Sequence, residues 1–168
     1  MDDKSKSTAG TRRVQTFVNS DSPKALDRSE APMAKCGSRN DGTEAGHILG
    51  IGLANVVLTN TRGRPHSDET KQAIVAHLNS DSNLRIVSTE RNRVVDERRD
   101  ARVAEAYVNN TPIQGKSTTD HAYRAYKAAE QLKESTDVSI LADRLGEMRV
   151  MNPDTGRSHK LKNHDKYT

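Results

Sequence analysis

The sequence predicts an α+β fold, mainly helical, with a small antiparallel β-hairpin and a disordered N-terminal tail. Three observations carry this. Apolar residues recur at helical spacing through much of the second half, short β-compatible runs accompany them, and the first forty residues hold few apolar anchors. We divide the chain into a tail over 1–40, a domain over 41–148, and a C-terminal hairpin with a basic tail over 149–168.

The tail is rich in Ser, Thr, Asp, Lys, Arg and Gly and contains Pro23 and Pro32. Val14, Phe17, Val18, Ala25 and Leu26 offer too little apolar surface to offset the entropy of ordering it, so it is expected to be disordered or to order on a partner. From His47 the texture changes. Ile48 to Leu58 is the most apolar run, interrupted by Gly50 and Gly52, and within it Asn55–Thr59 reads as a strand. Thr61-Arg62-Gly63-Arg64-Pro65 breaks the chain. Ser67 then suits an N-cap, with Asp68 and Glu69 in the first turn and Ile74 and Leu78 on one face, which predicts a helix over 68–78.

After the polar loop Asn79-Ser80-Asp81-Ser82, the run Leu84, Ile86, Val87 reads as a strand. A charged helix over 92–109 follows, with Val94, Ala101, Ala104 and Val108 as its apolar stripe and Arg98, Arg99 and Arg102 interleaved with Asp96, Glu97, Asp100 and Glu105. Thr111-Pro112 ends it. Ser117-Thr118-Thr119 opens a third helix through Lys133, with Ala122, Tyr126, Ala129 and Leu132 along one side. Asp137 is expected to cap a fourth over 138–148. Arg149-Val150-Met151, a turn at Asn152-Pro153-Asp154-Thr155-Gly156, and Arg157 to Leu161 predict the terminal hairpin.

Composition limits the function classes. At 168 residues with 32% hydrophobic and 30% charged residues and a mean hydropathy of -0.88, the core must be small. With no Trp, one Phe and four Tyr it must also be aliphatic, which argues against a platform that stacks single-stranded bases. A net charge of +4 favours an anionic partner. Cys36 is alone, so neither an intramolecular disulfide nor a cysteine zinc cluster can form. No secretory signal or membrane-length apolar run is present, so a cytoplasmic protein, or one exported without a cleavable signal peptide, is expected, with no membrane partner.

Two stretches carry candidate chemistry: Glu44-Ala45-Gly46-His47-Ile48-Leu49-Gly50, and Asn83-Leu84-Arg85-Ile86-Val87-Ser88-Thr89-Glu90-Arg91-Asn92. A histidine at the end of one strand and an asparagine at the start of a helix can converge on one metal-bound phosphate. The second stretch resembles the second half of an HNH motif, in which a loop asparagine precedes an apolar strand and a metal-binding His or Asn follows nine positions later. Gly46-His47 is similar to the Gly-His of the non-specific DNA/RNA endonucleases and bacterial toxin nucleases. The resemblance spans about Glu44 to Val108.

What the resemblance implies is a metal-dependent ββα-type endonuclease acting on DNA or RNA, as a toxin or mobile-element enzyme, with a cognate inhibitor or larger assembly as further partner. His47 would be the general base, Asn83 would orient it, and Asn92 would bind Mg²⁺ or another divalent cation. Arg85, Arg91 and Arg93 would grip flanking phosphates. The residues also admit plainer readings: His47 as a turn histidine, Asn83 as a turn former, and Asn92 as a helix N-cap. The corresponding functional alternative is a non-catalytic basic protein that binds nucleic acid or an assembly surface.

Arg62-Gly63-Arg64-Pro65 resembles the core of an AT-hook, which would place Arg62 and Arg64 in a minor groove, or else it is a basic loop before a capped helix. His66 and His77 lack the spacing of a zinc site and are expected to face solvent, and His121, His159 and His164 are expected to be unclustered. Arg157, Lys160, Lys162 and Lys166 make a basic end, expected to be solvated.

Overall fold

The computed structural model describes residues 42–59 and 66–168. The tail over 1–40 and the AT-hook-like residues Arg62 and Arg64 lie outside the described residues. The architecture is α+β and mainly helical, with two separate two-stranded antiparallel pairs.

Strand β1 (Thr43–His47) pairs with β2 (Leu84–Ser88), with His47 opposite Leu84 and Gly46 opposite Arg85. Between them run helix α1 (Ile51–Thr59), helix α2 (Asp68–Leu78) and a 3₁₀ turn (Asp81–Asn83). A π-helix (Arg91–Asp96) leads into α3 (Glu97–Asn109), followed by α4 (Lys116–Ser135) and α5 (Ile140–Gly146). Strands β3 (Arg149–Met151) and β4 (Ser158–Lys160) form the predicted terminal hairpin, and a 3₁₀ turn (Leu161–Tyr167) closes the chain.

The strand expected at 55–59 is instead the second half of α1. Leu53, Ala54, Val57 and Leu58 are all buried, a spacing that suits one helical face. Packing against the neighbouring helices overrides the β preference of Val56 and Val57. Helix α2 starts as predicted, with Ser67 Oγ accepting from the Thr70 amide at 3.2 Å. Helix α4 buries Ala122, Tyr126, Ala129 and Leu132, the face read from the sequence. The fourth helix is shorter than expected, and Ser139, not Asp137, stands at its N-cap.

The stripe predicted for the charged helix is misplaced. Val94 and Val108 are exposed at 41% and 61%, whereas Asn92, Asp96, Val103 and Ala106 are buried. The π-helix takes more residues per turn than an α-helix and so rotates the following face. As a result, the inward side of this segment begins with polar groups, Asn92 and Asp96.

One core cluster joins α1, α2, α3, α4 and α5 and takes in Val150 and Leu161, so the C-terminal hairpin is docked on the helices. Ile113 reinforces this through a parallel bridge to Val150. The basic end is correspondingly tied down, with Lys160 and Lys162 at 2.7 and 2.6 Å from the two carboxylate oxygens of Glu147. Those hydrogen bonds hold the Glu147 carboxyl down to about 2. Among the described residues, no helix is long and apolar enough to cross a membrane.

Candidate functional site

The end of β1, helix α1, the π-helix and the first half of α3 surround a cleft of about 420 Å³. His47, Gly50, Asn92, Asp96 and Asp100 line it, with Leu53, Val56 and Ala104 among its apolar walls. The two residues that the resemblance assigns to base and metal, His47 and Asn92, therefore border the same space.

Three local features build this cleft. The first is Gly46. A Cβ there would stand 2.7 Å from Val87 Cγ2 and 3.2 Å from Asn92 Oδ1, so only glycine lets the Asn92 amide lie against the backbone immediately before His47. Asn92 is also not the N-cap of its helix: it lies within the π-helix and is 9% exposed. Helical backbone begins before it, and Ser88 Oγ accepts from the Arg91 amide at 3.1 Å.

The second is Asn83, which is fully buried. Its Oδ1 accepts from the Leu49 amide at 2.7 Å, and its Nδ2 donates to the Leu49 and Leu78 carbonyls at 3.2 and 3.0 Å. Its own carbonyl accepts from the Ile48 amide at 2.7 Å. Asn83 therefore holds the two residues that follow His47, so its positioning of the histidine runs through the Ile48 and Leu49 backbone. Asn79 meets the ring itself, with its Oδ1 3.3 Å from His47 Nε2.

The third is Asp100. His121, almost fully buried, places Nε2 at 2.6 Å from Asp100 Oδ1. The other carboxylate oxygen lies where a Gly50 side chain would be, directly before the first turn of α1. A carboxylate suits the positive end of a helix, so Asp100 links α1 to α4 across the cleft wall.

Asp96 lines the cleft as well, although the sequence marks it only as one of the interleaved charges of the charged helix. Its Oδ2 pairs with Arg85 Nη2 at 3.0 Å, while its Oδ1 is buried without a hydrogen-bond partner and stands 3.9 Å from Arg99 Nη1. Its spacing from Asn92, four residues within one helix, was the available signal. Arg85, expected to meet phosphate, is thus engaged with Asp96. Arg91 is exposed and Arg93 half-buried on the same π-helix.

The expectation of solvent-facing, unclustered histidines is overturned. His77 is buried and its Nε2 lies 2.7 Å from the Ala128 carbonyl, linking α2 to α4. Burial lowers its pKa, partly countered by that carbonyl. His159 Nε2 and His164 Nδ1 are 2.9 Å apart with rings 9° from coplanar, and Tyr167 stacks on His159 at 4.3 Å.

Comparison with protein families, curated proteins and solved structures finds no match. The functional reading therefore rests on the cleft itself. Among the described residues no group of three or more His, Cys, Asp and Glu is placed to hold a metal ion. The carboxylate of Asp96, one of whose oxygens has no hydrogen-bond partner, and the side-chain amide of Asn92 one helical turn before it line one cleft, a pairing that suits a hard divalent cation that keeps most of its water.

Proposed function

We propose that the chain is a metal-dependent endonuclease that hydrolyses phosphodiester bonds in DNA or RNA at the β1–π-helix cleft. The observation that carries this reading is that His47 and Asn92 border one cleft, beside an Asp96 oxygen that lacks a hydrogen-bond partner.

Hydrolysis needs a water deprotonated at neutral pH, relief of phosphate charge and stabilisation of the leaving oxygen. A neutral imidazole can accept the proton of an attacking water near pH 7. The bond to Asn79 fixes the ring: a neutral His47 that donates from Nε2 keeps its basic lone pair on Nδ1. Asn83 keeps the chain after His47 in register, so that the ring does not shift with the loop. A divalent cation bound by Asn92 and Asp96 would neutralise the phosphate and hold the departing oxygen. Arg85 supports this arrangement by orienting the Asp96 carboxylate through the Oδ2 pair.

The test is cleavage of plasmid DNA and of structured RNA by purified protein with and without Mg²⁺, comparing wild type with N92A and D96N. Loss of cleavage in both variants, with retained folding, supports the assignment. Full activity in both would remove Asn92 and Asp96 from the site.

A further inference from the structure

Four arginines from four elements gather near Asp96, a residue that lines the cleft. Arg85 lies on β2, Arg91 on the π-helix, Arg99 on α3 and Arg124 on α4. Asp96 ties two of them together, with Oδ2 at 3.0 Å from Arg85 and Oδ1 at 3.9 Å from Arg99. The Asp100–His121 bond fixes α3 against α4 at the neighbouring level, with Arg99 next to Asp100 in sequence and Arg124 one turn beyond His121. Asp96 is shared by two arginines, and Asp120 is the acid that acts favourably on Arg124.

The consequence is visible at Arg124, an exposed side chain. Although the residue reaches solvent, its guanidinium is held below the usual range by partial desolvation, then by the charge of Arg85 and, more weakly, of Arg99 and Arg91, while Asp120 acts in the opposite direction. The Arg85 Nε is also buried without a hydrogen-bond partner. Excess like charge held at close quarters by a folded scaffold is relieved when an anion enters. Guanidinium groups are the side chains best suited to grip phosphate oxygens.

We infer that Arg99 and Arg124, backed by Arg85 and Arg91, form a seat for a nucleic-acid backbone phosphate flanking the one in the cleft. The choice of nucleic acid over another polyanion rests on the phosphodiester reading of the adjacent cleft. The seat gives binding that the catalytic residues do not supply. It orients the polymer across the π-helix, with Asp96 common to the two sites.

The test is equilibrium binding of a fluorescent DNA duplex in EDTA at several salt concentrations, in an H47A background so that cutting cannot interfere. For R99Q/R124Q we expect at least a tenfold rise in Kd and a salt slope shallower by about 1.8, from two lost phosphate contacts. R124Q alone should flatten the slope by about 0.9 and serves as the test should the double variant unfold. R99K/R124K should keep the slope while binding less tightly. Unchanged affinity and slope in the glutamine variants, or no binding of the duplex by the parent, would overturn the seat. Cleavage is scored separately in the His47 protein. Lost binding in R99Q/R124Q without any wild-type cleavage leaves the seat and removes the nuclease. Cleavage with binding untouched by the substitutions does the reverse.

Discussion

Asn83 Oδ1 receives the Leu49 amide at 2.7 Å, from a residue 34 positions earlier in the chain. This contact, with the return bonds from Asn83 Nδ2 to the Leu49 and Leu78 carbonyls, joins the loop after β1 to the end of α2 and the start of β2. An asparagine suits the place because its amide both accepts and donates, and each bond satisfies a buried backbone group.

Asn83→Ala should accordingly be costly. Three backbone groups lose their partner in a fully buried position. At about 1–3 kcal/mol for each unsatisfied group, partly relieved by entering water, we expect a loss of about 3–5 kcal/mol in urea unfolding. Asn83→Asp should also be destabilising, since it keeps the acceptor but loses the donor. A cost below about 1 kcal/mol for Asn83→Ala would show that the amide is not what holds the loop.

Gly50 and Gly52 should respond oppositely to alanine. A Cβ on Gly50 would overlap the Asp100 carboxylate, whereas one on Gly52 meets nothing within 4 Å. Gly50→Ala should cost about 1–3 kcal/mol through overpacking and displace Asp100 from His121. Gly52→Ala, near the start of a helix, should be neutral or stabilising by up to about 1 kcal/mol. Thermal melts of the two variants give the comparison, and equal effects would contradict the described packing of Asp100.

Acid should loosen the fold through two histidines. His77 and His159 both have pKa values lowered from 6.5, His77 by burial and His159 by burial and then by the charge of His164. The unfolded chain therefore binds protons more readily than the folded one. Their contribution is fully present above about pH 6.5 and declines as pH falls through the lower folded values. Melting temperature should fall between pH 7.5 and pH 5. A rise over that interval would reverse the sign of the argument.

Most helices were legible in the sequence because their signals are local. Ser67 with Asp68 and Glu69 marks the start of α2, and Ala122, Tyr126, Ala129 and Leu132 mark the buried face of α4. What was not legible depends on contacts distant in sequence. Val56-Val57-Leu58 reads as a strand until α1 is packed on its neighbours, and nothing local announces that the segment from Arg91 winds as a π-helix. That winding also misled the apolar stripe, turning Asn92 and Asp96 inward in place of Val94.

The candidate site was legible in its order along the chain but not in its partners. Gly46-His47, Asn83 and Asn92 were readable as a pattern, because residue types and spacing carry it. Asn79 beside His47, Asp96 with Arg85, and Asp100 with His121 join separate elements and emerge only when the chain is folded. The histidines were misjudged for the same reason, since burial of His77 and pairing of His159 with His164 are tertiary facts.

The most direct measurement is the rate of Mg²⁺-dependent cleavage of DNA and RNA by wild type and by His47→Ala, with binding followed in parallel. Removing a general base should lower the rate by about two to four powers of ten. Affinity and its salt slope should hardly change, because they come from phosphate contacts by arginine and lysine. Cleavage that survives His47→Ala undiminished, or a wild-type protein that binds both polymers and cuts neither with any divalent cation, would contradict the account.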